Sequence, residues 1–176
     1  LYTMNGEYDA AEEQLREILE ANPRDMAVRV SLGDLMAARQ EFDGAQAQYE
    51  TVVDAAPQAA AAYLRLSRLY IAQKKVDQAE AVLTQGYRKI PDSPQLATAL
   101  VQVKGGQQKY EEAIAVCRDR LEKNPSDALA YALIGRVRAA QRDFPAAEAA
   151  LKKAIELQPT WEVAHNYLAR DRKSVV

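Results

Sequence analysis

The chain of 176 residues is 48% hydrophobic and 27% charged, a composition typical of a folded protein long enough to bury a core. Its net charge of −2 argues against a general nucleic-acid binder, because phosphate binding needs a basic surface. The single cysteine, Cys117, excludes an intrachain disulfide, and no apolar run reaches the roughly 18 residues of a membrane span.

The first residues, from Leu1 onward, already have the pattern of the inside of a helix, and no secretory leader pattern is present. We therefore expect the chain to be a piece of a longer protein. We expect this segment to be soluble, in the cytoplasm or the periplasm.

A repeat of 34 residues organises the whole chain. The period is marked by prolines at Pro23, Pro57, Pro91, Pro125 and Pro159. Alanines hold the same step at Ala11, Ala45, Ala79, Ala113 and Ala147. Large apolar residues hold it at Tyr8, Phe42, Val76, Tyr110 and Phe144. A period in this range predicts a solenoid of stacked structural repeats.

Each full repeat contains two apolar-periodic stretches that predict two helices, here called the first and the second helix of the repeat. Residues 60–73 and 77–90 are one such pair, and the short link between them predicts an antiparallel hairpin. Asp25, Ser93 and Asp127 stand where N-caps of first helices belong. In this register the chain has a partial repeat at 1–25, full repeats at 26–59, 60–93, 94–127 and 128–161, and a lone helix at 162–173.

This pattern resembles the tetratricopeptide repeat family over essentially the whole chain. The family's Leu-Gly pair is matched by Leu32-Gly33 and Ile134-Gly135, and its second-helix alanine by the register alanines. The resemblance implies an all-α fold, a right-handed superhelical solenoid of antiparallel helix pairs forming a single array. Small residues at Gly33, Ser67 and Gly135 are expected to let neighbouring helices approach closely.

No catalytic or metal-binding constellation is apparent, and neither an enzyme activity nor a cofactor is predicted. His165 has no cysteine or histidine companion and occupies a register position of packed tyrosines, and Cys117 occupies a large apolar core position. The acidic pairs Glu12-Glu13 and Glu111-Glu112 are interpreted as parts of a solvated face. Trp161 is interpreted as filling the last layer of the stack, with a binding hot spot as the alternative.

In the family, first helices line a concave groove that receives an extended peptide or a partner helix. The resemblance places groove positions of this chain at Asp34, Arg65, Arg68, Gln102, Arg136, Asn166, Tyr167 and Arg170. Three of these arginines share one register position and would form a row: Arg68, Arg136 and Arg170. Because guanidinium groups pair with carboxylates, a protein or peptide partner with an acidic or C-terminal carboxylate segment is expected. The alternative is that these arginines are solvated or paired with acids of the same array.

The family's two-carboxylate clamp for chaperone C-termini uses lysine and asparagine at set groove positions. Here Asp34 and Arg68 replace its asparagines, and Val30 and Leu64 replace its first lysine. A chaperone-tail clamp is therefore not expected.

The resemblance leaves three functions open. The chain is interpreted first as a non-catalytic interaction scaffold. The alternatives are a structural segment that self-associates through open ends, and the adaptor array of a larger enzyme or of a bacterial export or assembly system.

Gly105-Gly106 is the one Gly-Gly pair in the sequence. It has no Gly-Lys-Ser/Thr after it, so a phosphate loop is excluded. Because two glycines weaken a helix, we expect this first helix to fray or to end a turn early, and its repeat to be the loosest layer of the stack.

Overall fold

The computed structural model describes the backbone of residues 2–160 and the side chains of residues 7–160. It divides into two compact units, Leu1–Ile90 and Pro91–Val176, here called the N-terminal and C-terminal units. Within the described residues every regular element is an α-helix. The fold class is therefore the all-α helical-repeat solenoid that the 34-residue period predicts.

The N-terminal unit contains five helices, which are α1 (Tyr2–Ala21), α2 (Met26–Ala38), α3 (Phe42–Ala55), α4 (Ala60–Ala72) and α5 (Val76–Lys89). The pairs α2–α3 and α4–α5 fold back on each other, and α1 packs on α2. α1 is 20 residues long, whereas α3 and α5 each have 14, so α1 begins six residues before the register position at which the other second helices start.

The C-terminal unit contains four described helices, which are α6 (Pro94–Gly106), α7 (Tyr110–Lys123), α8 (Ala128–Ala140) and α9 (Phe144–Leu157). They form the pairs α6–α7 and α8–α9. First helices begin at residues 26, 60, 94 and 128, which are the starting residues of the four full repeats in the sequence register. The predicted lone helix at 162–173 lies outside the described residues.

Helix starts follow local capping chemistry. The side chains of Asp25, Ser93 and Asp127 accept hydrogen bonds from backbone N–H groups three residues on, which confirms the three predicted N-caps. Asp143 caps α9 in the same way, an N-cap that the sequence reading missed.

Two residues after each described first helix stands a left-handed residue with φ near +60°, a conformation that bends the chain into the second helix. These residues are Gln40, Lys74, Gln108 and Arg142, spaced 34 residues apart. None of them is glycine, the residue that adopts this conformation with the least strain. The turn is therefore not visible in the sequence as a glycine signal.

Small residues bring the two helices of a repeat together. The register alanines of the full repeats, Ala45, Ala79, Ala113 and Ala147, are completely buried. A Cβ atom on Gly33 would lie 2.6 Å from the Tyr49 ring, and one on Gly135 would lie 2.7 Å from Leu151. Both glycines are thus required by close packing, as the sequence predicts.

The Gly105-Gly106 helix is not shortened. α6 extends to Gly106 and has 13 residues, as do α2, α4 and α8. The expectation that it ends a turn early is therefore wrong. Its N-cap and the hydrogen bonds of its C-terminal turn, such as Lys109 N to the Lys104 carbonyl at 2.9 Å, maintain the helix despite the low helix propensity of glycine. Fraying of this helix and the looseness of this layer remain predictions.

Arg120 occupies a position where other second helices place small or apolar residues. Its Nε donates to Oδ2 of Asp127 at 2.8 Å, and its Nη1 donates to the Pro91 carbonyl at 3.3 Å. The Arg120 and Asp127 side chains are 13% and 9% exposed, so this is a buried ion pair between α7 and the start of α8. A charged residue is tolerated at this core position because its partners are buried with it.

Candidate functional site

A cavity of about 460 Å³ lies among α2, α3 and α4 of the N-terminal unit. Its lining includes the polar residues Asp34, Arg65 and Arg68, and the apolar residues Phe42 and Leu69. The cavity thus combines an apolar surface with a small number of charged groups, which is the usual composition of a ligand pocket.

Helical spacing explains why these side chains converge. Arg65, Arg68, Leu69 and Ala72 follow one another at i, i+3, i+4 and i+7, so they share one face of α4. Asp34 occupies the position on α2 that Arg68 occupies on α4, one 34-residue repeat later. The first helices of two successive repeats therefore both contribute to the cavity.

Three residues of the cavity form a hydrogen-bonded network, here called the Asp34 network. The Tyr49 hydroxyl donates to Oδ1 of Asp34 at 2.7 Å, and Arg65 Nε donates to Oδ2 at 2.7 Å. The hydrogen bond to Asp34 is also the main reason why the pKa of Arg65 is raised. Burial and the Asp34 carboxylate together raise the pKa of Tyr49 above its ordinary value, so Tyr49 stays protonated and remains a donor.

The backbone holds Tyr49 in this position. Its ring lies against Gly33, where the absence of a Cβ atom leaves space for it, and the side chain is only 2% exposed. Since Gly33 directly precedes Asp34, the glycine that seats the ring also brings the hydroxyl to the carboxylate. The network is therefore built on a rigid helix pair.

Arg68 differs from Arg65 in its surroundings. It lines the same cavity and is exposed, and no acidic partner lies against it among the described residues. Because Arg65 compensates the charge of Asp34, the described lining has one uncompensated positive charge, on Arg68.

The sequence placed Asp34, Arg65 and Arg68 in one groove, and the structure brings these three together. For Arg65, the alternative of pairing within the array describes what is observed. Gln102 is exposed on α6 and Arg136 is half-buried on α8, both in the C-terminal unit. The remaining predicted site residues are Asn166, Tyr167 and Arg170. They lie outside the described residues, as do Trp161 and His165.

The Tyr49 hydroxyl was not among the polar groups predicted for the groove. A signal was present, because the register position of Tyr49 holds Leu83, Cys117 and Leu151 in the other full repeats. Asp34 likewise replaces the arginine or glutamine found at its position in those repeats. Asp34 and Tyr49 thus both differ from the residue types at their positions in the other full repeats. Their occurrence in one repeat indicated that they interact.

The acidic pairs do not simply form a solvated face. Glu12 is ion-paired with Arg39 of α2 at 2.9 Å, and its side chain is 17% exposed. Glu111 and Glu112 are more exposed, but they pair with Arg138 and Lys104 on neighbouring first helices. The solvated-face interpretation holds for Glu13, Glu111 and Glu112, which are exposed, and is wrong for Glu12, which helix packing brings against Arg39.

The described residues contain no group of three or more potential metal ligands. Cys117 is completely buried, and burial raises the pKa of its thiol to about 12, which makes it a poor nucleophile near neutral pH. Within the same residues, no helix has the length and apolar character required to cross a bilayer.

Several solved structures share this fold. MamA superposes with a TM-score of 0.65 at 19% identity, covering 89% of this chain and 92% of MamA. TTC0263, a thermophilic TPR protein in Thermus thermophilus, gives 0.65 at 21% identity, covering 97% and 93%. The first TPR of Spaghetti (RPAP3), bound to the HSP90 peptide SRMEEVD, gives 0.53 at 25% identity, covering 67% and 94%.

No curated protein sequence matches the chain. One tetratricopeptide repeat family model matches residues 2–60 and 36–103, and a second matches residues 98–160. The matches extend through nearly all of the described chain and agree with the 34-residue period. The chain therefore belongs to the tetratricopeptide repeat family.

Proposed function

We propose that this protein is a non-catalytic interaction scaffold that binds a peptide or partner segment on the surface formed by its first helices. Family membership supports the general class, because stacked helical repeats provide extended concave binding surfaces. The observation that carries the proposal is the cavity among α2, α3 and α4, with its apolar lining and the uncompensated charge of Arg68.

The chemistry of this cavity favours a segment that has an aliphatic side chain next to a carboxylate. Phe42 and Ala72 offer an apolar contact, and the Arg68 guanidinium offers a charge-assisted hydrogen bond. Among the structural neighbours, the first TPR of Spaghetti (RPAP3) holds a peptide with three acidic residues, SRMEEVD. Asp34 and Arg68 replace the asparagines of the chaperone-tail clamp, so we do not propose that specificity for this chain.

The test is a binding titration with labelled octapeptides that combine leucine and glutamate and have a free C-terminus. Each is paired with a copy in which glutamine replaces glutamate and the C-terminus is amidated. We expect the acidic peptides to bind more tightly, and Arg68→Gln to weaken that binding about tenfold. Arg24→Gln removes the same charge from an exposed position of the N-terminal unit outside the cavity lining and is the matched control.

Equal binding of acidic and neutral peptides, or equal losses from the two arginine variants, would contradict the proposal. Adding Arg136→Gln and Arg170→Gln to Arg68→Gln tests the proposed arginine row. If the three arginines act together, the triple variant loses more affinity than Arg68→Gln alone.

Self-association is a second candidate, and it is favoured by one observation. Ile18 on α1 is 46% exposed, whereas Val52 and Ala154 at the same register position are at most 1% exposed. A second copy that packs on α1 would bury this side chain. Light scattering over a range of concentrations tests it: a mass that rises with concentration, and that Ile18→Glu abolishes, supports self-association, and a constant monomer mass excludes it.

A further inference from the structure

We infer that Tyr49 is a positioning residue that decides which arginine of the cavity is available to an acidic ligand, by holding Asp34 on Arg65 and so keeping Arg68 available. This inference rests on the proposed function and assigns a role to a residue that does not itself need to touch the ligand.

Two residues hold the Asp34 carboxylate in place. Oδ1 accepts a hydrogen bond from the Tyr49 hydroxyl at 2.7 Å, and Arg65 Nε lies against both oxygens, 2.5 Å from Oδ1 and 2.7 Å from Oδ2. The Asp34 side chain is 39% exposed, so packing alone does not fix its orientation. The two hydrogen bonds therefore select the rotamer that faces Arg65.

The Asp34 carboxylate has two arginines of the cavity as possible partners. Arg65 and Arg68 lie one turn apart on the same face of α4, and both line the cavity with Asp34. Because Arg68 lines the same cavity, it is the alternative partner for the Asp34 carboxylate. If it turned to Arg68, the cation that remains available would be Arg65 instead, and Arg68 would be neutralised.

Packing holds the donor, Tyr49, in a fixed position. Tyr49 is 2% exposed and its ring lies against Gly33, so the hydroxyl cannot follow Asp34 towards Arg68. The hydrogen bond from Tyr49 is lost if the carboxylate turns away. Tyr49 thus stabilises the pairing with Arg65 relative to the pairing with Arg68.

The arrangement is specific to one repeat. Asp34 and Tyr49 belong to the same full repeat, 26–59, and their side chains form a hydrogen bond. The corresponding second-helix residues Leu83, Cys117 and Leu151 have no hydroxyl. Both departures from the repeat pattern therefore serve the same contact.

The first experiment needs no ligand. The Nε–H signal of Arg68 is followed by NMR in the whole chain, together with its rate of hydrogen exchange with water. In the unaltered protein we expect fast exchange, because Arg68 is unpaired. In Tyr49→Phe we expect exchange to slow several-fold as Asp34 turns to Arg68, and Asp34→Asn in addition should restore fast exchange. Slow exchange in the unaltered protein, or no change in Tyr49→Phe, would overturn the inference.

The second experiment is a double-mutant cycle with the labelled acidic octapeptide that binds most tightly. We expect Tyr49→Phe to weaken binding three- to tenfold and Asp34→Asn to strengthen it by a similar factor. In the Asp34→Asn background, Tyr49→Phe should change the affinity less than twofold, because no carboxylate remains to be positioned.

An equal loss from Tyr49→Phe in both backgrounds would mean that the tyrosine acts through packing, which overturns the inference. If no acidic peptide binds the unaltered protein, the proposed function fails, and the NMR experiment still decides whether Tyr49 positions Asp34. The two failures are therefore distinguishable.

Discussion

Each of the two units contains an arginine–aspartate pair between helices, and the two pairs differ in burial. In the N-terminal unit, Asp34 and Arg65 are 39% and 36% exposed at the edge of a cavity. In the C-terminal unit, Arg120 and Asp127 are 13% and 9% exposed in the interior, where Arg120 also donates to a backbone carbonyl.

The difference in burial assigns different roles to similar chemistry. A half-exposed pair contributes at most about 1 kcal/mol to stability, because water solvates both charged groups when they are apart. Its main effect is on which charges the surface presents. A buried pair adds little relative to an apolar pair, but loss of one partner leaves a buried charge and is costly. The Asp34–Arg65 pair therefore shapes a surface, whereas the Arg120–Asp127 pair holds a joint between helices.

The largest expected effect comes from breaking the buried pair. Arg120→Ala should lower the free energy of unfolding by about 3 kcal/mol, because Asp127 then remains buried without its cation. Urea denaturation of the whole chain measures it. Arg65→Ala is the matched control in the N-terminal unit and should cost about 1 kcal/mol or less. Equal costs for the two variants would break the comparison.

Alkaline pH should separate the interior groups of the two units. Burial raises the pKa of Cys117 from 9.0 to about 12, so the unfolded chain releases this proton first. Stability is then full below about pH 9 and falls between pH 9 and 12, with a slope of at most about 1.4 kcal/mol per pH unit from this group.

The pKa of Tyr49 is raised from 10.0, so its contribution to the alkaline loss of stability starts about one pH unit later. Urea denaturation at a series of pH values, with Cys117→Ala as the control, resolves the two. The variant should be less stable at neutral pH but should begin to lose stability only near pH 10. An unchanged onset near pH 9 would show that Cys117 is not the group responsible.

Two glycines of opposite character, one in each unit, should respond in opposite directions to the same substitution. Gly33→Ala should destabilise the protein by about 1–3 kcal/mol, because the new Cβ would lie 2.6 Å from the Tyr49 ring. Gly105→Ala should stabilise it by about 0.5–1 kcal/mol, since nothing lies within 4 Å of the new Cβ and alanine favours the helix. Urea denaturation gives both values.

Hydrogen exchange sharpens the same comparison. The glycines of α6 predict weaker protection of residues 100–108 than of residues 66–74 in α4, and Gly105→Ala should reduce the difference. Equal protection in the unaltered protein would contradict the prediction of a loose layer.

Most of the fold could be predicted from the sequence. The helix starts at Asp25, Ser93 and Asp127 depend on residues within one turn, and the 34-residue period depends on the spacing of a few residue types. The failed expectation for α6 has the same local origin: glycine propensity favours an early end, but tertiary packing and capping of the whole repeat outweigh about 1 kcal/mol per residue.

The candidate site could be predicted only in part. The register placed Asp34, Arg65 and Arg68 near one another, because positions one repeat apart lie on neighbouring first helices. It did not predict that Asp34 pairs with Arg65, or that the Tyr49 hydroxyl holds the pair. These pairings depend on side-chain rotamers and on the position of one helix along its neighbour, where a shift of less than a helical turn changes the partner.

The sequence by itself determined the repeat, the helix pairs and the small residues at their contacts, because period, capping and side-chain volume are properties of short segments. Only the tertiary structure decided which charges are compensated. The register places Arg65 at a first-helix groove position and Arg120 among packed second-helix positions, but only the packed helices show which aspartate each one meets and how exposed each pair is. The distance between ions and their exposure to water determine what an ion pair contributes, and both quantities arise only when the helices pack together.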